Sequence, residues 1–434
     1  MSAITASILR IRGVGTATIA QASQSAAGFI VTMLAARLLG LEALGLFSLL
    51  YGAFILATGI VSGFVGDSLM VLDRFRAPVR AALLRWFAVL IVFVAAASFG
   101  FSLTGTQLTP GAAALYALAA VSYVCEDLVR RNHMATLTFG RIVVMDLAVL
   151  LTSAAVILGT HWLGNVSIET FLMAIIAGQV IGLLVGWFTL PKAERAPAPG
   201  PAAWREVASY GSWRAALQGL RPGQLTLTRL FVIALISLTA AGSLEAARIY
   251  AAPAMLLVSG VCSYLFASMA RNRTAGLKQQ LRTTDQAVTR LVLTTVACTI
   301  CGLLLLPWGG PLITGHHLSG IAVSGWLVYS MAVAMSTPYG LLASVLERAR
   351  SVFVVRFLDS LLSLILVAAV ILVSGDYRWV PWAAALGALA GGFAIRRWVL
   401  GALVHEQQDS ICIREETQAL CEAGSIPEKE ERFS

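Results

Sequence analysis

The stretch RIVVMDLAVLLTSAAVILGTHWLGNVSIETFLMAIIAGQVIGLLVGWFTLPKAER, Arg141 to Arg195, decides the fold. It holds two apolar runs, 141–163 and 167–190, joined by a short loop without Lys or Arg. Each is near the roughly 20 residues that an α-helix needs to cross a hydrocarbon core about 30 Å thick. The basic residues Arg141, Lys192 and Arg195 stand at the two far ends, so a hairpin that enters and leaves on the same side explains the pattern. A helix closes its backbone hydrogen bonds within itself, which is what a segment in lipid requires.

Working outward, similar runs fall at 15–39, 43–65, 80–103, 110–135, 208–236, 243–268, 287–308, 318–344, 352–374 and 379–402. With the first pair they make twelve expected spans in an all-α membrane protein. Composition agrees: 58% of the 434 residues are hydrophobic and 12% charged, against about 25% charged in soluble domains. The net charge of +9 does not point to nucleic acid, because the basic residues sit in short clusters between apolar runs. Arg74, Arg76, Arg80 and Arg85, then Arg130, Arg131 and Arg141, then Lys192, Arg195 and Arg205, then Arg282 and Arg290, then Arg348, Arg350 and Arg356 all fall in alternate connections. The intervening loops carry almost none. By the positive-inside rule the N-terminus, the even-numbered loops and the C-terminus are cytoplasmic.

The proline- and alanine-rich segment PKAERAPAPGPAAW, Pro191 to Trp204, separates two sets of six spans. The expected organisation is an N-terminal lobe at 1–190, a cytoplasmic linker at 191–204, a C-terminal lobe at 205–402 and an acidic cytoplasmic tail at 403–434. LEALGLF (Leu41 to Phe47) is matched by LEAARIY (Leu244 to Tyr250), with Arg248 at the place of Gly45. ATLTFGR (Ala135 to Arg141) is matched by SVLERAR (Ser344 to Arg350), each followed by a span with one acid, Asp146 and Asp359. Six spans per half give the copies the same orientation, as in parallel repeats.

Ionisable residues inside spans mark function or pairing, since each costs about 2.5–3.5 kcal/mol on insertion scales. The seventh span carries Arg214, Gln218, Arg221 and Arg229 on one side of the helix. Pro222-Gly223 is expected to interrupt it between Arg221 and Arg229, as transporter helices break beside substrates. The first span offers a neutral polar face: Gln21, Gln24, Ser25, Gly28 and Thr32. If the halves are equivalent, both faces line a positively charged space between the lobes. The competing readings are structural: Arg214 snorkels to the headgroups, Arg229 pairs with Asp359 or Asp146, and Arg37 snorkels or pairs with Glu42. Arg37, Asp67, Asp146, Arg248 and Asp359 are candidates for gating or ion pairing. Glu126 and Asp127 are expected to pair with Arg130 and Arg131 along their own helix.

Other motifs carry little. Cys298-x-x-Cys301 lies in an apolar run without His or acid and reads as packing. His316-His317 lack further ligands, and the sequon at Asn165 is of a kind common by chance. There is no nucleophile with its base, no nucleotide-binding loop and no pair of mid-membrane carboxylates, so neither an enzyme, a metal nor a cofactor is expected. The diluted first span reads as a retained helix rather than a cleaved signal.

The joint AARLLGLEALGLFSLLYG, Ala35 to Gly52, resembles the A-R-x-L-G-x-x-x-x-G-x-F/Y joint of the repeat-unit flippases of polysaccharide biosynthesis. These belong to the multidrug/oligosaccharidyl-lipid/polysaccharide exporter superfamily. The resemblance implies a V-shaped, MATE-like pair of six-helix bundles in the bacterial cytoplasmic membrane. It also implies movement of a polyprenyl-diphosphate-linked glycan from the inner to the outer leaflet, with glycosyltransferases and a polymerase as candidate partners. Arg214, Arg221 and Arg229 would then neutralise the diphosphate, and Gln21, Gln24, Ser25, Thr32 and Gln218 would meet sugar hydroxyls. The rival expectations are a cation-coupled multidrug exporter of the same superfamily and a non-transporting scaffold of a glycan-synthesis complex.

Overall fold

A computed structural model describes residues 3–106, 108–164, 166–196, 200–271, 276–346 and 348–403, with side chains of the first helix from Ile19 on. The acidic tail beyond 403, the sequon residue Asn165 and part of the linker lie outside the described residues. What is described is helical: α1 (Ala3–Leu38), α2 (Gly40–Val61), a π turn (Ser62–Gly66) leading into α3 (Asp67–Val71), α4 (Ala77–Gly105), α5 (Pro110–Ala135), α6 (Phe139–Trp162) and α7 (Ile168–Thr189). After the short α8 (Lys192–Arg195) follow α9 (Trp204–Leu235), α10 (Leu238–Arg271), α11 (Leu277–Thr314), α12 (Gly320–Val345) and α13 (Ala349–Ser374). A 3-10 turn (Tyr377–Trp379) then opens α14 (Val380–Ala394), which runs into a π turn (Ile395–Leu400). Among the described residues eleven helical stretches are long and apolar enough to cross a bilayer. The twelfth, α9, is diluted by its arginines yet packs lengthwise against α2 and α13. The arginine-rich connections gather at one end of the bundle, called here the basic end.

Local signals set the helix limits. Thr109 accepts the Ala112 N–H ahead of Pro110 at the start of α5, and Ser167 forms a reciprocal capping box with Thr170 on α7. Gly40, at φ 73°, makes the sharp joint between α1 and α2, a backbone shape that favours glycine.

One apolar core is shared by residues of the first six spans, among them Ala35, Phe47, Phe54, Tyr116 and Phe171. Another joins Leu244, Val258, Trp326, Val367 and Ala384 of the last six. The two halves meet where α2 crosses α10, at the end away from the basic loops, and also where α2 and the π turn run along α9 toward the basic end. A Cβ at Gly45 would collide with the Leu238 carbonyl, and one at Gly242 with the Leu41 carbonyl. This reciprocal contact corrects the repeat register. Gly242, in LTAAG, is the counterpart of Gly45 in LEALG, and Arg248 is not. LEAARIY shares more letters with LEALGLF, whereas the steric demand for glycine picks out LTAAG.

A second correction concerns α9. It is one continuous helix with Pro222 inside it, not two pieces. The carbonyl freed by the missing N–H, that of Gln218, lies against the α2 backbone, 3.0 Å from where a Gly59 Cβ would stand. Gly63 and Gly211 bring the following π turn against α9 further on. Packing over this seam holds the helix through its proline.

Candidate functional site

Three polar centres lie among the helices. The first is a small cavity of about 50 Å³ between α1, α2, α5, α6 and α7, lined by Gln24, Tyr51, Tyr123, Glu126, Asp146 and Gln179. Asp146 accepts the Ser23 hydroxyl and lies 3.4 Å from Arg130. Glu126 is 5% exposed, and its Oε1 and the Oε1 of Gln179 have no hydrogen-bond donor among the described residues. Two expectations are corrected here. Carboxylates do share a buried cavity, and Arg130 forms its ion pair across helices with Asp146; of the two, Arg131 alone pairs with the acid of its own helix, Asp127 at 3.5 Å. The spacing of Tyr123, Glu126 and Arg130 on one face of α5 carried that signal.

The second centre joins the halves at the basic end. Asp67, 2% exposed, is 2.6 Å from Arg214 Nη2 and 3.4 Å from Arg131 Nη1, and accepts Gln218 Nε2 at 3.4 Å. Arg131 in turn reaches Asp127, which accepts the Ser62 hydroxyl. Charges therefore alternate in a row from α5 through α3 to α9. Nearer the opposite end, Arg229 is 3.2 Å from Glu245 of α10, which is also 2.5 Å from Arg248. Gly52 of α2 gives the Arg229 guanidinium its room. The expected partners of Arg229, Asp359 and Asp146, are thus replaced by Glu245. The expected stripe of three unpaired arginines is not formed: Arg214 and Arg229 are neutralised by acids of other helices, since an isolated charge in an apolar interior is costly.

The third centre is a cavity of about 230 Å³ within the second half, between α9, α12, α13 and α14. Arg221, Gln224, Tyr329, Ser336, Arg356 and Asp359 line it. Arg356 lies 3.1 Å from Asp359 and donates to the Ser336 carbonyl at 3.0 Å. Arg221 stands over the Tyr329 ring, 5.9 Å from its centroid, with no carboxylate in ion-pair contact among the described residues. Two arginines therefore face one aspartate. Asp359 fits only because position 391 is glycine, and Ser363 only because 387 is; Ser153 stands against Gly178 in the same way in the first half. Arg356 was not singled out by sequence, where it read as a loop cation.

The polar face of α1 is mostly self-satisfied. Ser25 donates to the Gln21 carbonyl and Thr32 to that of Gly28, each at 3.0 Å. Gln21 is exposed and Gln24 alone of the five reaches a cavity with its side chain. Arg37 is exposed, with no ion pair to Glu42 among the described residues.

The arrangement of the helices is matched by solved structures. An inward-facing multidrug resistance MATE family transporter of the MOP superfamily superposes with a TM-score of 0.67, covering 88% of this chain and 96% of that one at 13% identity. The chain has the MATE fold. An outward-facing MATE structure covers 93% of the chain and 96% of its own, with a TM-score of 0.62 and 12% identity. A MOP superfamily transporter from Pyrococcus furiosus, described as having a binding pocket of reverse polarity, gives 0.59 at 11% identity over 90% of this chain and 96% of that one. No protein-family model and no curated protein matches the sequence. Within the MATE fold, the cavities of the two halves differ in sign: acids outnumber arginines in the first, and arginines outnumber acids in the second.

Proposed function

We propose that the protein is an alternating-access transporter that carries a polyprenyl-diphosphate-linked glycan from the inner to the outer leaflet of a bacterial cytoplasmic membrane. The observation that carries this reading is the excess of cation in the second-half cavity, where Arg221 and Arg356 face Asp359. A guanidinium without a carboxylate suits a diphosphate through its forked donors. Within a low-dielectric wall the attraction is far larger than in water. The reading shifts the phosphate-binding role from three arginines to Arg221, because Arg214 and Arg229 have carboxylate partners and Arg356 meets Asp359. Gln218, Gln24 and the exposed Gln21 remain candidates for sugar hydroxyls.

In this reading the lobes at 1–190 and 205–402 rock against each other, the basic end is cytoplasmic with both termini, and glycan-synthesising enzymes supply the substrate. What supports the motion is the packing. Ala35 and Ala36 of α1 share a core with Ala246 and Ile249 of α10 at the end away from the basic loops, while Ile19 and Gln21 nearer the basic end are exposed. The test is translocation of a fluorescent lipid-linked oligosaccharide in proteoliposomes. Arg221→Ala should slow it at least tenfold without lowering the melting temperature, and Arg221→Lys less so. An unchanged rate in Arg221→Ala would sink the assignment.

A second reading, cation-coupled export of small molecules, is favoured by one observation: Glu126 and Asp146 share a cavity in which the Glu126 Oε1 lacks a donor among the described residues. It differs in its outcome, since Glu126→Gln would then abolish transport while Arg221→Ala would not.

A further inference from the structure

The described residues between the two halves, 191–196 and 200–204, lie against the first half. Arg74 forks onto Glu194 at 2.9 Å, Arg80 donates to the Ala193 carbonyl at 2.8 Å, Arg85 to the Gly200 carbonyl at 2.9 Å, and Trp86 Nε1 to the Trp204 carbonyl at 3.2 Å. Arg195 turns back over the end of α7, donating to the Leu190 carbonyl at 2.5 and 2.9 Å and to that of Phe188 at 3.1 Å. Under this strap is a cavity of about 300 Å³ with two kinds of lining. Arg74, Arg80, Arg195 and Trp187 line it at the basic end, and Leu83, Leu84 and Leu128 line it about one turn or more deeper.

We propose that this cavity binds one anionic glycerophospholipid of the surrounding leaflet, its phosphate between Arg80 and Arg195 and an acyl chain along Leu83, Leu84 and Leu128. Three observations carry it. Arg80 and Arg195 donate only to carbonyls and have no carboxylate partner among the described residues, so their charge is uncompensated where Arg74 is neutralised by Glu194. The cations sit at the first turn of α4 and just beyond the end of α7, the level of the headgroups if these helices span the bilayer. The apolar wall reaches the outer surface, where Leu84 is 48% and Trp187 44% exposed, so a chain can enter sideways from lipid. Basic pockets between spanning helices on the cytoplasmic side are suited to anionic headgroups, and tryptophan favours that boundary. A soluble anion would use the arginines and leave the leucine wall without purpose. The site is independent of the transported substrate, because it lies outside the three polar centres described above.

The experiment uses the full chain, purified in detergent and stripped of lipid, with phosphatidylglycerol and phosphatidylcholine as probes read by native mass spectrometry. The parent should retain one phosphatidylglycerol at least tenfold more tightly than phosphatidylcholine. Arg80→Ala/Arg195→Ala should lose that preference, and Arg282→Ala/Arg290→Ala, at the basic end of α11, should keep it. Leu84→Glu keeps both arginines and places a charge in the path of the acyl chain; it should also lose the bound lipid, and it serves if the double variant does not fold. The proposal is overturned if the double variant keeps the preference, if the α11 control loses it equally, or if glycerol phosphate competes as well as the whole lipid.

Discussion

The contact between Gly45 and Gly242 makes a quantitative prediction about the motion of the halves. A methyl group at either position meets a backbone carbonyl of the facing helix, Leu238 or Leu41, and a carbonyl cannot rotate away as a side chain can. The substitution therefore pushes α2 and α10 apart. Inserting a methyl group into a packed contact costs about 1–3 kcal/mol. If the crossing opens in the alternate state, the cost falls on the closed state alone, and Gly45→Ala or Gly242→Ala shifts the equilibrium toward the open state by roughly five- to 150-fold. The two variants should act alike, because the contact is reciprocal. Spin labels at Glu42 and Thr239, both exposed near the crossing, report the separation in proteoliposomes. A longer-distance population should appear in each variant and be minor in the parent. Unchanged distance distributions in both folded variants would refute the idea that this crossing opens.

Other consequences follow from the buried charges and the helix packing. Glu245→Ala leaves Arg229, at 8% exposure, without its carboxylate, and breaking a buried pair from one side costs about 3–5 kcal/mol; the melting temperature in detergent should fall, and recover in part when Arg229→Met is added. Gly391→Ala forces Asp359 from its place and should cost about 1–3 kcal/mol, together with a loss of transport if the second-half cavity is the anion site. Pro222→Ala should leave helicity unchanged by circular dichroism and raise the melting temperature, since α9 is already continuous and an interior proline costs about 3 kcal/mol. A fluorescent protein fused after Leu403 should fluoresce in the cytoplasm and alkaline phosphatase inserted at Gly164 should be active outside, the reverse pattern inverting the orientation.

The positions of the spans were legible because each depends on a local property: about 20 apolar residues and a cluster of arginines at one end. Even the polar seventh span could be placed, since charge alternation demanded a crossing that its hydropathy alone did not support. The fate of its arginines was not legible. Arg214 and Arg229 have no acid within the apolar run 208–236, and that local fact suggested an open cationic stripe. Their partners, Asp67 and Glu245, come from α3 and α10, and helix periodicity says which residues share a face but not which helix faces it. Glu126 failed for the converse reason, as an arginine at i+4 offered a sufficient local partner that the fold assigned elsewhere.

This difference bears on how far charge in a membrane sequence can be read as function. Arginine at mid-membrane is informative only after the buried acids of neighbouring helices have been set against it, helix by helix. Done that way, Arg214 balances Asp67, Arg229 and Arg248 flank Glu245, and Arg356 meets Asp359. Arg221 is then left facing a cavity large enough to hold a phosphate group. A cation kept beside a polar cavity without a carboxylate is costly to the folded state alone, and an anion arriving there lowers that cost. The argument for an anionic cargo rests on that remainder, and not on the number of arginines in the helix.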